Sequence, residues 1–206
     1  MILFVTTADT DLLTADRALE GLPAEFPEVK AFNPANLPPP NDSSSTLSGG
    51  SSEDASGIES QQQILNAAAE AEVVVLRLLG GKRAMPEIFD SLVRICHEKG
   101  IPLIACPGHQ EWDQELVTAC NIPPSELDTV FSYLIRGGVP NFQNLFLFLS
   151  DSYLGSDYGH EAPTEVPWEG VYHQTKPTDS QPKSSSIADS SPAAQASRFS
   201  FTGPIG

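Results

Sequence analysis

Four short apolar runs set the rhythm of the chain. Ile2–Val5, Val73–Leu78 and Ile101–Cys106 are nearly continuous, and Glu28–Phe32 is weaker and more polar. Unbroken Val, Leu and Ile runs, as opposed to alternating ones, read as strands covered on both faces of a parallel sheet. The segments between them change to helical spacing. Asp9 or Thr10 can cap a helix to about Leu19, with Leu12, Leu13, Asp16 and Leu19 in phase and Gly21 ending it. Ile58–Ala71 predicts a helix with Ile58, Leu65, Ala68 and Ala69 inward. Pro86 suits the first turn of a helix to Lys99, which Gly100 terminates. Its apolar face is Ile88, Phe89, Leu92, Val93 and Cys96. A short helix fits Asp113–Cys120. Ser125 can cap another through Arg136, ended by Gly137-Gly138, and Pro140 opens a last one to about Leu154. Both carry apolar stripes, Leu127, Val130, Phe131, Leu134 and Ile135 in the first and Phe142, Leu145, Phe146, Leu149 and Tyr153 in the second. This order predicts an α/β fold, flavodoxin- or Rossmann-like. It has a mostly parallel sheet of about four strands with helices on both faces.

The pattern fails in three places. Pro34 and Pro38-Pro39-Pro40 stop regular structure, and residues 41–57 are Ser/Gly-rich without an aromatic residue. They predict a low-complexity surface insert. After His160, Pro, Ser, Thr and Gln take over. The expected organisation is therefore an α/β head over 1–155, an extended segment over 156–173 and a disordered tail over 174–206.

Composition changes the picture mainly by exclusion. A net charge of −16 over 206 residues argues against nucleic acid as a partner, because phosphate contacts need clustered cations. No run of ~18 apolar residues is available for a membrane span. Met1–Val5 lacks a cationic leader and is cut off by Thr6 and Asp9, so it reads as a strand, not a signal peptide. Cys96, Cys106 and Cys120 are odd in number and have no CxxC spacing, which favours a reducing cytoplasmic setting over disulfides and leaves no zinc motif.

Candidate chemistry concentrates after the third strand. Arg77, Lys82 and Arg83 are three of only eleven basic residues, and Gly80-Gly81 turns the chain between them. The carboxyl ends of parallel strands are where open α/β sheets bind ligands. The turn can hold an anion, or it can be a plain turn with solvated cations. Arg77 within an apolar strand requires a partner, either Asp9 at the end of strand one or a ligand carboxylate. Asp9 and Asp11 can serve as ligands or simply favour the start of a helix. His109, in Pro107-Gly108-His109-Gln110, is a proton carrier or a solvated loop residue. The candidate substrate-binding set is Asp9, Arg77, Gly80, Gly81, Lys82, Arg83 and His109. His97 falls on a polar helix face, and His160 and His173 lie beyond the predicted head. There is no GxxxxGK[ST], GxGxxG or GxSxG, and no cysteine has a local partner suited to a nucleophile, so no catalytic residue or metal ligand is assigned.

Several strings in order carry a family resemblance. They are Phe4-Val5-Thr6-Thr7-Ala8-Asp9-Thr10-Asp11, Val75-Leu76-Arg77-Leu78-Leu79-Gly80-Gly81 and Ile101-Pro102-Leu103-Ile104-Ala105-Cys106-Pro107-Gly108. Tyr133-Leu134-Ile135-Arg136-Gly137-Gly138-Val139-Pro140-Asn141 and Pro167-Trp168-Glu169-Gly170-Val171-Tyr172-His173 follow. Over about residues 2–173, without the serine-rich insert, the chain resembles the amino-terminal region of the large subunit of aerobic, ATP-dependent cobaltochelatase. That subunit is related to the large subunit of magnesium chelatase. The resemblance implies a role in cobalamin biosynthesis, with hydrogenobyrinic acid a,c-diamide as tetrapyrrole substrate and cobalt as the inserted metal. It also implies two smaller subunits as the ATPase motor that uses ATP and magnesium, and no cofactor in this chain. A substrate bearing carboxylates and amides suits a cationic turn. Family members are several times longer, and the Gly170-Val171-Tyr172-His173 element normally leads into the rest of the subunit. Here Gln174 and a low-complexity tail follow. The expectation is an amino-terminal portion that is not a complete catalyst alone. The alternatives are a non-enzymatic module docking chelatase partners, a magnesium chelatase large-subunit fragment, and a generic flavodoxin-like ligand domain.

Overall fold

Ile2–Thr6 forms β1, and every residue in it is buried because both of its faces are covered. The computed structural model describes residues 1–35, 53–86 and 88–165. β2 is Val29–Phe32, β3 is Val73–Leu78 and β4 is Leu103–Pro107. They form one four-stranded parallel sheet in the order β2-β1-β3-β4. The helices are α1 (Asp9–Leu19), α2 (Glu53–Glu70), α3 (Phe89–Lys99), α4 (Gln114–Ala119), α5 (Pro124–Arg136) and α6 (Gly138–Tyr153).

Each sheet face has its own core. Leu3, Val5, Leu76 and Leu103 point to one side, against α2 and α3 through Ile64, Leu92 and Cys96. Ile2, Phe4, Val75 and Ile104 point to the other, against α1, α5 and α6. Phe4 sits edge-on to Phe142 and Phe146, with ring centroids 5.9 and 6.4 Å away. This is why the strand sequences are continuous apolar runs: a sheet between two helical layers has no polar face.

The polar edge of β4 is closed by side chains. Leu103 N donates to Asn121 Oδ1 at 2.7 Å, and Asn121 Nδ2 donates to Ile101 O at 2.9 Å. Ala105 N donates to Cys120 Sγ at 3.1 Å. An outer strand is thereby satisfied without a further strand.

Several boundaries differ from expectation. α2 starts at Glu53, so residues 53–57 are helical and not part of a loop; the rest of the predicted insert, up to 52, and the 166–206 region lie outside the described residues. The buried positions of α2 are Ile64, Ala67 and Ala68, with Leu65 and Ala69 only half-buried, a phase shift set by where α2 meets the sheet. Ile58 has no described side chain. Pro86 does not open α3. A 3-10 turn over Gly81–Ala84 intervenes, and Phe89 begins the helix. α5 begins with Pro124 at its first position and has no cap from Ser125. α6 begins at Gly138, with Pro140 inside the first turn, where its missing N–H costs nothing. Neither Asp9 nor Thr10 caps α1; Ala8 occupies that position without a side-chain bond.

Residues 155–165 have no regular secondary structure and run against α5 and α6. Asp151 accepts from the N–H groups of Tyr158 and Gly159, both at 2.9 Å. Burial alone would raise the Asp151 pKa, but these bonds and the Ser156 hydroxyl lower it. Asn144 accepts from Glu161 N at 2.7 Å. Asn141, 1% exposed, donates to Thr164 O at 2.8 Å and accepts from Thr164 N at 2.9 Å. Almost every tie is a side chain holding main chain.

Candidate functional site

A parallel sheet brings the carboxyl ends of all its strands to one edge, so the loops after β1, β2, β3 and β4 share a rim. One register row lies just below it, Thr6 beside Arg77 and Arg77 beside Cys106. Arg77 Nη1 donates to Asp11 Oδ1 at 3.0 Å, and the Thr6 hydroxyl donates to Asp11 Oδ2 at 2.9 Å. The Arg77 and Asp11 side chains are 14% and 11% exposed. The partner of Arg77 is therefore Asp11 and not Asp9. Asp11 lies in the first turn of α1 and points inward, whereas Asp9 is exposed and accepts from Asn33 Nδ2 at 2.7 Å. This second bond ties the start of α1 to the end of β2.

The glycine pair does more than turn the chain. Gly80 and Gly81 have φ of +93° and +65°, in the region that favours glycine. Gly80 faces open space, but Gly81 is buried, and a Cβ there would collide with the Asp113 carboxylate. Asp113 caps α4, accepting from Glu115 N at 2.9 Å and Leu116 N at 3.3 Å. The turn after β3 thus locks to the start of α4. Leu79 N donates to the Thr7 hydroxyl at 2.8 Å, which joins the β1 and β3 loops.

Lys82 is held as well. Its Nζ lies 2.7 Å from Asp90 and 5.7 Å from the centre of the Phe89 ring. The hydrogen bond to Asp90 raises its pKa. Lys82, Phe89, Asp90 and Glu115 wall a groove of about 390 Å³ beside α4. Arg77, Asp9 and His109 do not line it. Arg83 and His109 are exposed at the rim. All seven candidates therefore fall at or just below one edge, but two of the three cations are already neutralised by carboxylates of the chain.

His97 contacts Ala119 O at 2.9 Å, and His160 lies 3.8 Å from Asp151. Among the described residues, no group of three or more His, Cys, Asp or Glu could hold a metal ion. The three cysteines are free. Burial pushes the Cys96 thiol up to about 11, and burial also raises Cys106, in the row with Arg77. Sequence reasoning passed over Asp113, Asp90, Asn33 and Trp112. Asp113 had a signal, since it opens a predicted short helix; Asn33 and Trp112 have partners distant in sequence, and Asp90 meets Lys82 across a turn that the sequence did not define.

The fold and rim define an α/β module of the doubly wound class, with an edge built from loops that bind one another. Its relatives are more specific. Residues 131–199 match the CobN/magnesium chelatase family model. The chain is 26% identical over 172 residues to the aerobic cobaltochelatase subunit CobN of Pseudomonas aeruginosa, covering 84% of this chain and 12% of that protein. It is 30% identical over 115 residues to an uncharacterized protein of Methanocaldococcus jannaschii, covering 56% of this chain and 9% of that one. The catalytic subunit of cobaltochelatase from Mycobacterium tuberculosis superposes with a TM-score of 0.60 at 28% identity, over 84% of this chain and 12% of that one. The chain is thus similar to cobaltochelatase CobN subunits over most of its length, and it spans about an eighth of theirs. No described helix is long and apolar enough to cross a membrane.

Proposed function

We propose that this chain is the α/β head of a cobaltochelatase-type large subunit and contributes to cobalt insertion into hydrogenobyrinic acid a,c-diamide in cobalamin biosynthesis. ATPase motor subunits supply the energy, in a reducing cytoplasmic compartment. The supporting observation is that sequence and fold agree over the same share of the chain, 84%, with cobaltochelatase subunits from two organisms. The lack of a P-loop in the sequence fits ATP hydrolysis on other subunits.

In this reading the rim is a preformed shape with few free charges. Asp11 holds Arg77, Asp90 holds Lys82, and Gly80 and Gly81 set the path of the loop. Arg83 and His109, exposed members able to donate hydrogen bonds, meet the carboxylates and amides of the macrocycle. The chain is not a complete catalyst by itself. Purified with motor subunits, ATP, cobalt and the macrocycle, it inserts no cobalt, and insertion appears when a full-length large subunit is added. Turnover without that subunit refutes the reading. The same assay with magnesium and a porphyrin separates a magnesium chelatase role.

A second reading is a non-enzymatic module that docks chelatase partners. It is favoured by the internal pairing of Arg77 and Lys82, which leaves little free cationic surface for a carboxylated substrate. Co-purification with the motor subunits, unchanged by the macrocycle, supports it.

A further inference from the structure

α4 is a ridge between two grooves that share Gln114. The groove beside α3 carries its own cation, Lys82. The other, about 540 Å³, lies between α4 and the start of α5 and carries none. Trp112, Val117, Pro124 and Leu127 form its apolar wall, and Asp128 stands at its rim. Trp112 is 45% exposed. It is tilted against Phe131 with centroids 4.1 Å apart, so the indole is held by the core while much of its surface stays in water. Tryptophan is among the residues enriched at interface hot spots, where one side is packed and the other is free to meet a partner.

The charge around this groove selects the occupant. No lysine or arginine occurs between Lys99 and Arg136, whereas Glu111, Asp113, Glu115, Glu126 and Asp128 all fall in that interval. Asp113 is committed to capping α4, and Glu126 accepts from the Tyr153 hydroxyl. Glu111, next to Trp112, and Asp128 are exposed. Carboxylates here repel a nucleic acid or a carboxylated small molecule, and a second copy with net charge −16 is repelled too. They attract a cation, and a bare indole face adds to that attraction.

We infer that the Trp112 groove docks a Lys/Arg-rich amphipathic segment of a partner protein. One aliphatic or aromatic side chain enters between Val117 and Leu127, and flanking cations meet Glu111, Asp128 and the indole face. This does not depend on whether the chain takes part in cobalt insertion.

The test is an NMR titration of the full chain with an 18-residue amphipathic Leu/Lys helical peptide and a scrambled peptide of the same composition. The expected result is shifts confined to the Trp112 indole and the α4–α5 amides. Binding weakens at least tenfold in Trp112→Ala and in the double variant Glu111→Lys/Asp128→Lys, and the scrambled peptide binds more weakly. The charge variant alters exposed positions only, so it decides the matter if Trp112→Ala does not fold. Equal binding to wild type and charge variant, or shifts spread over the whole acidic surface, overturns the inference. So does self-association that Trp112→Ala abolishes, which would assign the groove to a second copy.

Discussion

Removing the Arg77 side chain should destabilise the whole domain, because it leaves the Asp11 carboxylate without its cation just below the rim. The Arg77–Asp11 pair is 3.0 Å long, with both side chains largely out of water. At an effective dielectric near 20, two unit charges at that distance attract by about 5 kcal/mol. Residual exposure weakens this, and the Thr6 hydroxyl still holds Asp11 after Arg77 is gone. Breaking one side of such a pair typically costs roughly 3–5 kcal/mol, so about 3 kcal/mol is expected for Arg77→Ala. For a domain of this size that lowers the melting temperature by roughly 6–12 °C. The assay is urea unfolding followed by circular dichroism, with the midpoint moving and the slope unchanged. The double variant Arg77→Met/Asp11→Leu should recover part of this and come within about 2 kcal/mol of wild type, since an apolar pair of similar volume needs no desolvation and the remaining cost is the buried Thr6 hydroxyl left without its acceptor. Arg77→Ala costing under about 1 kcal/mol, or a double variant as unstable as the sum of its singles, would refute the buried-pair reasoning.

Three further outcomes follow from single contacts. Gly80→Ala should cost about 1–2 kcal/mol for its backbone conformation alone, and Gly81→Ala about 3 because Asp113 must also move; the reverse order in thermal melts would sink the contact argument. Asn141→Ala leaves Thr164 without its two bonds and should destabilise by about 2–3 kcal/mol; unchanged amide exchange at Thr164 would contradict it. Cys96 has a folded pKa of about 11, above the ordinary thiol value, so its neutral form is favoured by folding. Its stability contribution is complete below about pH 8.5 and declines as pH rises toward 11. Cys96→Ala should therefore flatten the urea midpoint between about pH 8.5 and 10, and identical slopes in both proteins would exclude this cause.

The carboxyl-edge candidates were visible because the apolar runs fix strand ends, and parallel strands send those ends to one side. The partners were not visible. Asp9 stands closer in sequence to β1, but a helical turn carries Asp11 inward beneath the rim and leaves Asp9 to Asn33. The distinction depends on the helix's rotation about its axis, which two carboxylates flanking Thr10 cannot declare. Trp112 was passed over for a related reason. In the sequence it is one aromatic residue in a polar loop, and only Phe131 beneath it makes it a fixed surface feature.

The sequence by itself determined the parallel α/β class, because buried strands must be continuously apolar, and the likeness to the chelatase subunit, through the order of its motifs. Tertiary structure decided which charges remain available. Arg77 and Lys82 look like ligand cations in a list of residues, yet each has a carboxylate from a neighbouring helix within hydrogen-bonding distance. Coulomb attraction falls with distance in space, not along the chain, so which carboxylate neutralises which cation is known only once the helices are packed.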